Sequence, residues 1–316
     1  MAAAIHHEPG CPRWAQVLVV RALVAALVWS FLSAPVDALE VFACEPEWGA
    51  LVSELAGEQA RVTVALTAFQ DPHRLQARPS LIASTRRADL VVCTGAELEV
   101  GWLPLLLRRS GNPNVRPGAA GYFLAADYVR KLEVPTRLDR SQGDIHPQGN
   151  PHVHLNPRNI TRIARKLAQR LAELDPTNAD FYEKRLDDFV ERWHAAIVVW
   201  EKRARRLEGL IIVPHHRSFT YLADWLGLDV IATVEAKPGI PPSGAHLSRL
   251  LEKLNVVAPA AVVRTPYANE KPTTWLAERL DTPVLVLPYT IGGHEDVTDL
   301  FTLFDTTLTL LEDLQP

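Results

Sequence analysis

Short apolar runs alternate with amphipathic stretches along most of the chain. Residues 41–44 form a brief apolar strand, 48–55 repeat apolar positions at helical spacing, and Gly57 stops that helix. Residues 61–66 alternate as a half-buried strand does. Asp71-Pro72-His73 and Pro79-Ser80 then bound a loop, and a helix leads on to a strand over 88–93. Turn residues crowd 111–121, and 132–151 is polar. A helix runs from Asn156-Pro157 to Leu174, where Asp175-Pro176 breaks it. Residues 178–207 hold neither Pro nor Gly, enough for one helix of about 45 Å. Its Phe181, Phe189, Trp193, Ile197 and Trp200 recur near helical spacing. A second series follows, with strands over 210–213, 230–233, 261–263 and 284–287. Helices are predicted between and after them over 219–226, 246–254, 273–280 and 300–314. Strands separated by helices predict an α/β architecture with largely parallel sheets. The pattern divides into a lobe at 39–177, a rigid spine helix at 178–207 and a second lobe at 208–316. A ligand is expected in the cleft between the lobes, where strand C-termini face it.

Residues 1–38 break this pattern. Arg13 and Arg21 precede an apolar run over 22–32, and Ser33-Ala34-Pro35-Val36-Asp37-Ala38 supplies small residues before a cut after Ala38. Charge, apolar core and small residues in that order make a secretory signal peptide, so the mature protein is expected to be exported. The apolar run is shorter than the roughly 20 residues that span a bilayer. With 47% hydrophobic and 22% charged residues, the remainder is globular rather than disordered. A net charge of −4 without a basic block gives no reason to expect nucleic acid. Of the three cysteines, Cys11 leaves with the leader. Cys44 and Cys93 end apolar strands and could pair in an oxidising compartment if those strands are neighbours; the sequence leaves this open.

Chemistry concentrates in the histidines. His73 follows Asp71-Pro72, His152 and His154 stand in Gly149-Asn150-Pro151-His152-Val153-His154-Leu155-Asn156-Pro157, and His215-His216 follows the strand over 210–213. Imidazole nitrogen is a preferred Zn²⁺ donor, and loops at strand ends can converge on one cleft. The spacings are too long for a zinc finger. His146, His194, His246 and His294, in a polar loop or on helical and turn segments, are expected to be solvated.

The order of these segments resembles the zinc/manganese solute-binding receptors of ABC importers. The matching pieces are Asp71-Pro72-His73 with Pro79-Ser80, Ala88-Asp89-Leu90-Val91 leading to Gly95 and Leu98-Glu99, and Gly149-Asn150-Pro151-His152 with Leu155 and Pro157. His216-Arg217-Ser218-Phe219 with Tyr221 and Gly227-Leu228 completes the series. The resemblance implies two α/β lobes on a long helix, one metal ion between them and no catalysis. It implies His73, His152 and His216 as the metal ligands, with His215 as the alternative to His216. His154 stands where the family usually has Trp, behind the ligands or as a spare donor. An all-histidine set favours Zn²⁺ over Mn²⁺ as the transported ion. The implied partner is an ABC permease in the inner membrane, served by a monomer. A metal chaperone or adhesin on the same fold is the alternative, and a zinc hydrolase a more distant one.

Two departures stand out. The family's usual fourth ligand, an Asp after the last strand, is replaced by Leu287-Pro288-Tyr289-Thr290, which leaves water or Glu45 as candidates. The segment 133–148, where many zinc receptors carry a His/Asp/Glu-rich loop, is short and after Glu133 holds only His146, Asp139 and Asp144.

Overall fold

The computed structural model describes residues 38–137, 143 and 145–315, together with Ala4. Apart from Ala4 and Ala38, the leader read over 1–38 lies outside the described residues, as do Asp139 and Asp144. No helix among the described residues is long and apolar enough to cross a membrane.

Two four-stranded parallel sheets form the frame. The first comprises β1 (Leu39–Ala43), β2 (Ala60–Val64), β3 (Leu90–Cys93) and β4 (Tyr122–Leu124), in the order β2-β1-β3-β4. The second repeats that order with β5 (Ile211–Pro214), β6 (Asp229–Val230), β7 (Ala261–Arg264) and β8 (Val284–Val286), as β6-β5-β7-β8. Every pairing within these sheets is parallel. Helices cover both faces: α1 (Pro46–Ala56), α2 (Pro79–Arg87), α3 (Leu103–Ser110) and α4 (Pro157–Leu174) in the first half. α6 (Thr220–Leu226), α7 (Gly244–Leu254), α8 (Glu270–Leu280) and α9 (Leu300–Glu312) serve the second.

Central strands covered on both sides are apolar along most of their length, and the alternation shows which side each residue serves. Val41 and Ala43 of β1 enter the core shared with α4, whereas Phe42 and Cys44 face the cluster beneath α2 and α3. Ile212 and Val213 divide in the same way between the shared core and the one under α7 and α8. The register pairs Val41 with Leu90 and Ala43 with Val92, so Cys44 falls opposite Cys93. Their Cα atoms are 4.8 Å apart and the two are joined as a disulfide.

The spine helix α5 (Ala179–Ala204) is 26 residues long, about 39 Å, and follows a 3₁₀ turn at Pro176–Asn178. Trp193 donates its indole N–H to the carbonyl of Pro157, 2.9 Å away, and Trp200 donates to Asp305 Oδ1 at 2.7 Å. Trp193 packs edge-on against Phe301 and Phe304 and Trp200 meets the same two rings at a tilt, so α5 is fastened to α4 on one side and to α9 on the other. One buried cluster runs from Val41 and Leu90 through Phe189 and Trp193 to Ile212 and Val263. The two sheets therefore share a core across the spine.

Two elements escape the sequence pattern. The pattern predicts no element over 103–110, where α3 forms with Pro104 in its first turn, a place that tolerates proline because that N–H has no helical partner. β4 is only three residues long, too short for a periodicity. The strand expected over 230–233 shrinks to Asp229–Val230 at the sheet edge.

Candidate metal centre

The loops that leave the C-terminal ends of the strands meet in the cleft, where parallel sheets place ligand sites. His73, His152 and His216 each bring one ring nitrogen there, and those three atoms lie within 4.8 Å of one another. Their rings pack edge to face in all three pairings, with centroids 5.7 Å apart.

Local sequence sets the turns at His73 and His152, and residues farther along the chain hold the rings of His152 and His216. In Asp71-Pro72-His73 the Asp71 carboxylate accepts from both the backbone N–H of His73 at 3.0 Å and its Nδ1 at 2.8 Å, so one residue sets turn and ring together. Asn150 does the turn-setting for His152, accepting its N–H at 3.0 Å. The Asn150 amide then donates across the cleft to the Arg217 carbonyl at 2.9 Å and to Thr220 Oγ1 at 3.1 Å. His152 Nδ1 lies 2.7 Å from the Tyr289 hydroxyl. His216 Nδ1 lies 2.8 Å from Glu235 Oε2.

Each ring thus has an oxygen partner at Nδ1: Asp71, Tyr289 and Glu235. Assigning the proton to Nδ1 leaves a bare lone pair at Nε2, which is the tautomer that a metal ligand needs. His152 Nε2 is buried with no hydrogen-bond partner, an atom that water would otherwise have to satisfy. The rings of His73 and His216 open onto a cavity of about 190 Å³ lined by Asp71, Glu235 and Tyr267 among others. A larger hollow of about 550 Å³, bordered by Arg217, Asp224 and Thr233, brings together no group of metal donors among the described residues.

Electrostatics keep the two acids charged and the His152 ring neutral. Burial alone would raise the Asp71 carboxyl, but the hydrogen bond and charge of His73 outweigh it and hold it low. Burial likewise opposes Glu235, and hydrogen bonds to His215 and His216 bring it down to about 2. Burial and the neighbouring imidazoles push His152 well below 6.5.

The structure separates the two adjacent histidines. His216 joins the cluster, whereas His215 turns its Nε2 to the other Glu235 oxygen at 3.5 Å. His154 stays behind the three rings. Its Nε2 lies 2.8 Å from the Tyr289 carbonyl and its Nδ1 3.2 Å from Glu47 Oε1, all fully buried. Thr290 Oγ1 donates to Glu47 at 2.5 Å, so Glu47, His154 and Tyr289 brace His152 from behind.

Two expectations need correction. Glu45 does not reach the imidazoles. Its carboxyl accepts from the Thr94 N–H and hydroxyl, each at 3.2 Å, and is hydrogen-bonded to Glu99. His146 is not solvated. It is half-buried, with its Nε2 3.2 Å from His73 Nε2, and burial brings it down to about 4. A lone histidine in a polar, Gly- and Pro-containing segment gave no periodic signal, so only the fold reveals that position. Tyr289 was also missed as a partner of His152, because a tyrosine after a strand carries no motif.

The Glu45–Glu99 pair yields a pH prediction. Burial first, then mutual charge, raises Glu45 well above 4.5, and burial raises Glu99 to about 7. The folded chain therefore keeps protons that the unfolded chain releases above about pH 4.5, so this pair's contribution to stability declines as pH rises. Glu45→Gln, which mimics the protonated acid, is expected to raise Tm by about 2–5 °C at pH 8 and hardly at all at pH 5. Thermal melts of both chains across that range check it; a constant difference would remove the explanation.

Comparisons with known proteins follow the same outline. The profile of the zinc-uptake complex component A periplasmic family, ZnuA, matches residues 41–313. The manganese ABC transporter substrate-binding lipoprotein PsaA of Streptococcus pneumoniae is 23% identical over 288 residues, covering 87% of this chain and 90% of that one. The iron ABC transporter substrate-binding lipoprotein MtsA of Streptococcus pyogenes serotype M1 is 23% identical over 276 residues, 84% of each chain. Among solved structures, the crystal structure of ZnuA superposes with a TM-score of 0.74 at 22% identity, over 89% of this chain and 100% of that one.

Proposed function

Given that the chain belongs to the zinc-uptake complex component A family, we propose that it is the periplasmic receptor of an ABC importer and that its cargo is Zn²⁺. His73, His152 and His216 are the ligands in this reading, and the ion passes from a monomeric receptor to a permease in the inner membrane. The observation that carries it is the convergence of three imidazoles whose Nδ1 atoms are each engaged by an oxygen. Three nitrogen donors suit Zn²⁺ better than Mn²⁺, which favours carboxylate oxygen. PsaA and MtsA are named for manganese and iron, so the choice of zinc rests on this chain's own donors.

The same geometry speaks for capture rather than hydrolysis. A catalytic zinc site needs a free general base beside its water. Asp71 and Glu235, the nearest acids, are already engaged by the ligand rings. Protons compete with metal for the nitrogen lone pairs, so affinity falls with pH. The lowered pKa of His152 keeps that donor available in mildly acid conditions.

Titrating the metal-stripped protein with Zn²⁺ and with Mn²⁺ tests the proposal. One equivalent of Zn²⁺ should bind, and more tightly than Mn²⁺. Absence of a stoichiometric Zn²⁺ endpoint rejects it. Tyr289→Phe removes the oxygen that orients His152 and is expected to weaken Zn²⁺ binding about 10–100-fold at unchanged stoichiometry. A competition titration against a chromogenic chelator would show it, and equal affinities would mean that the hydroxyl plays no part.

A further inference from the structure

Leu287-Pro288-Tyr289-Thr290 after β8 supply no carboxylate and Glu45 is turned to Thr94, yet a fourth imidazole, His146, stands beside His73. We propose that His146 completes the metal site as its fourth ligand, delivered by a loop that spans the cleft. This rests on the receptor reading above and specifies its coordination.

The pairing of His73 and His146 is difficult to explain without a cation. Their Nε2 atoms are 3.2 Å apart. One N–H between them would satisfy both, but each ring has another acceptor for its proton. His73 donates Nδ1–H to Asp71 at 2.8 Å. His146 is hydrogen-bonded to the backbone carbonyls of Ala96 and Glu97. These two residues hold positive φ angles of 49° and 67°, a turn that non-glycine residues adopt at some cost. With both protons placed there, two bare lone pairs face each other, an arrangement that a bound cation makes favourable. Two nitrogens on a tetrahedral Zn²⁺ with bonds of about 2.0–2.1 Å stand roughly 3.3 Å apart, close to the spacing seen.

His146 stands beside one of the three donors: its ring centroid is 5.3 Å from that of His73, and it lines one small cavity with His152 and His216, just outside the group of three nitrogens. The segment carrying it is seated against both halves of the molecule. Gly149, at φ +104°, lies so close to the Leu132 carbonyl that a side chain would collide with it. Gly143, at φ +93°, lies closer still to the Pro238 carbonyl in the second half. Glycine is required at both points, because an added Cβ would lift the loop and His146 with it. A ligand on such a loop ties occupancy of the site to the position of a surface segment, which a transport partner could read.

The test counts histidines directly. In the Co²⁺-loaded full chain, each coordinated imidazole gives a hyperfine-shifted, solvent-exchangeable Nδ1–H resonance. Four are expected in the unaltered protein and three in His146→Ala, whose Zn²⁺ affinity should fall about 10–100-fold while binding remains one to one. Circular dichroism and the Tm of the metal-free variant establish that it is folded. Three resonances in the unaltered protein, or equal Zn²⁺ affinity in His146→Ala, overturns the proposal and leaves the three-histidine receptor intact. Failure of the unaltered chain to bind one Zn²⁺ overturns the receptor reading itself.

Discussion

Replacing His73 and His216 together by alanine is expected to weaken Zn²⁺ binding by about a thousandfold or more. Removing a residue that only orients a ligand costs about 10–100-fold, and in the proposed receptor these two rings are direct donors, whose joint loss must cost more. The remaining pair, His152 and His146, offers too few nitrogens for a closed tetrahedral site. Neither replaced ring belongs to the buried apolar core, so the fold should survive. What changes locally is the partner of each acid: Asp71 and Glu235 lose the hydrogen bonds that hold their carboxyls low. Calorimetric titration of the metal-free variant, with circular dichroism as the check on folding, measures the loss. Retention of the original affinity would mean that the ion binds elsewhere.

Cys44→Ala combined with Cys93→Ala acts on stability instead. The bond closes a loop with a sequence separation of 49 residues, for which chain entropy in the unfolded state amounts to about 4 kcal/mol. At about 2–4 °C per kcal/mol for a chain of this size, Tm should fall by roughly 10 °C. Both sulfurs lie on the α2–α3 side of the first sheet, away from the three imidazoles, so zinc stoichiometry should not change. Melts of the double variant, and of the unaltered protein with and without reductant, measure the effect. A Tm shift under 2 °C would show that the denatured chain is already restricted without the bond.

Much of this architecture was legible because it is written as periodicity. The Pro- and Gly-free run with Phe189, Trp193 and Trp200 announced α5, and Asn156-Pro157 placed the start of α4 where its side-chain cap is found. His73, His152 and His216 were legible through motifs whose local chemistry is short-range: Asp71 orients the histidine two residues away, and Asn150 does likewise. The remainder depends on residues distant in sequence. Tyr289 meets His152 across 137 positions and His146 meets His73 across 73, and neither contact has a local signature. Glu45 was a reasonable candidate acid by its place at a strand end. The register of β1 against β3 turned it toward Thr94 and Glu99 instead.

The core that α5 shares with both sheets bears on how the chain could be divided. A fragment ending at residue 177 would expose Ile163, Leu167 and Leu171, which lie in the cluster with Phe189 and Trp193. A fragment beginning at 208 would lose the indoles that pack on Phe301 and Phe304. Neither half is a module to be cut out, swapped or expressed alone. The two sets of histidines belong to one cooperative unit, so an ion gripped by residues from both halves raises the melting point of the whole chain together.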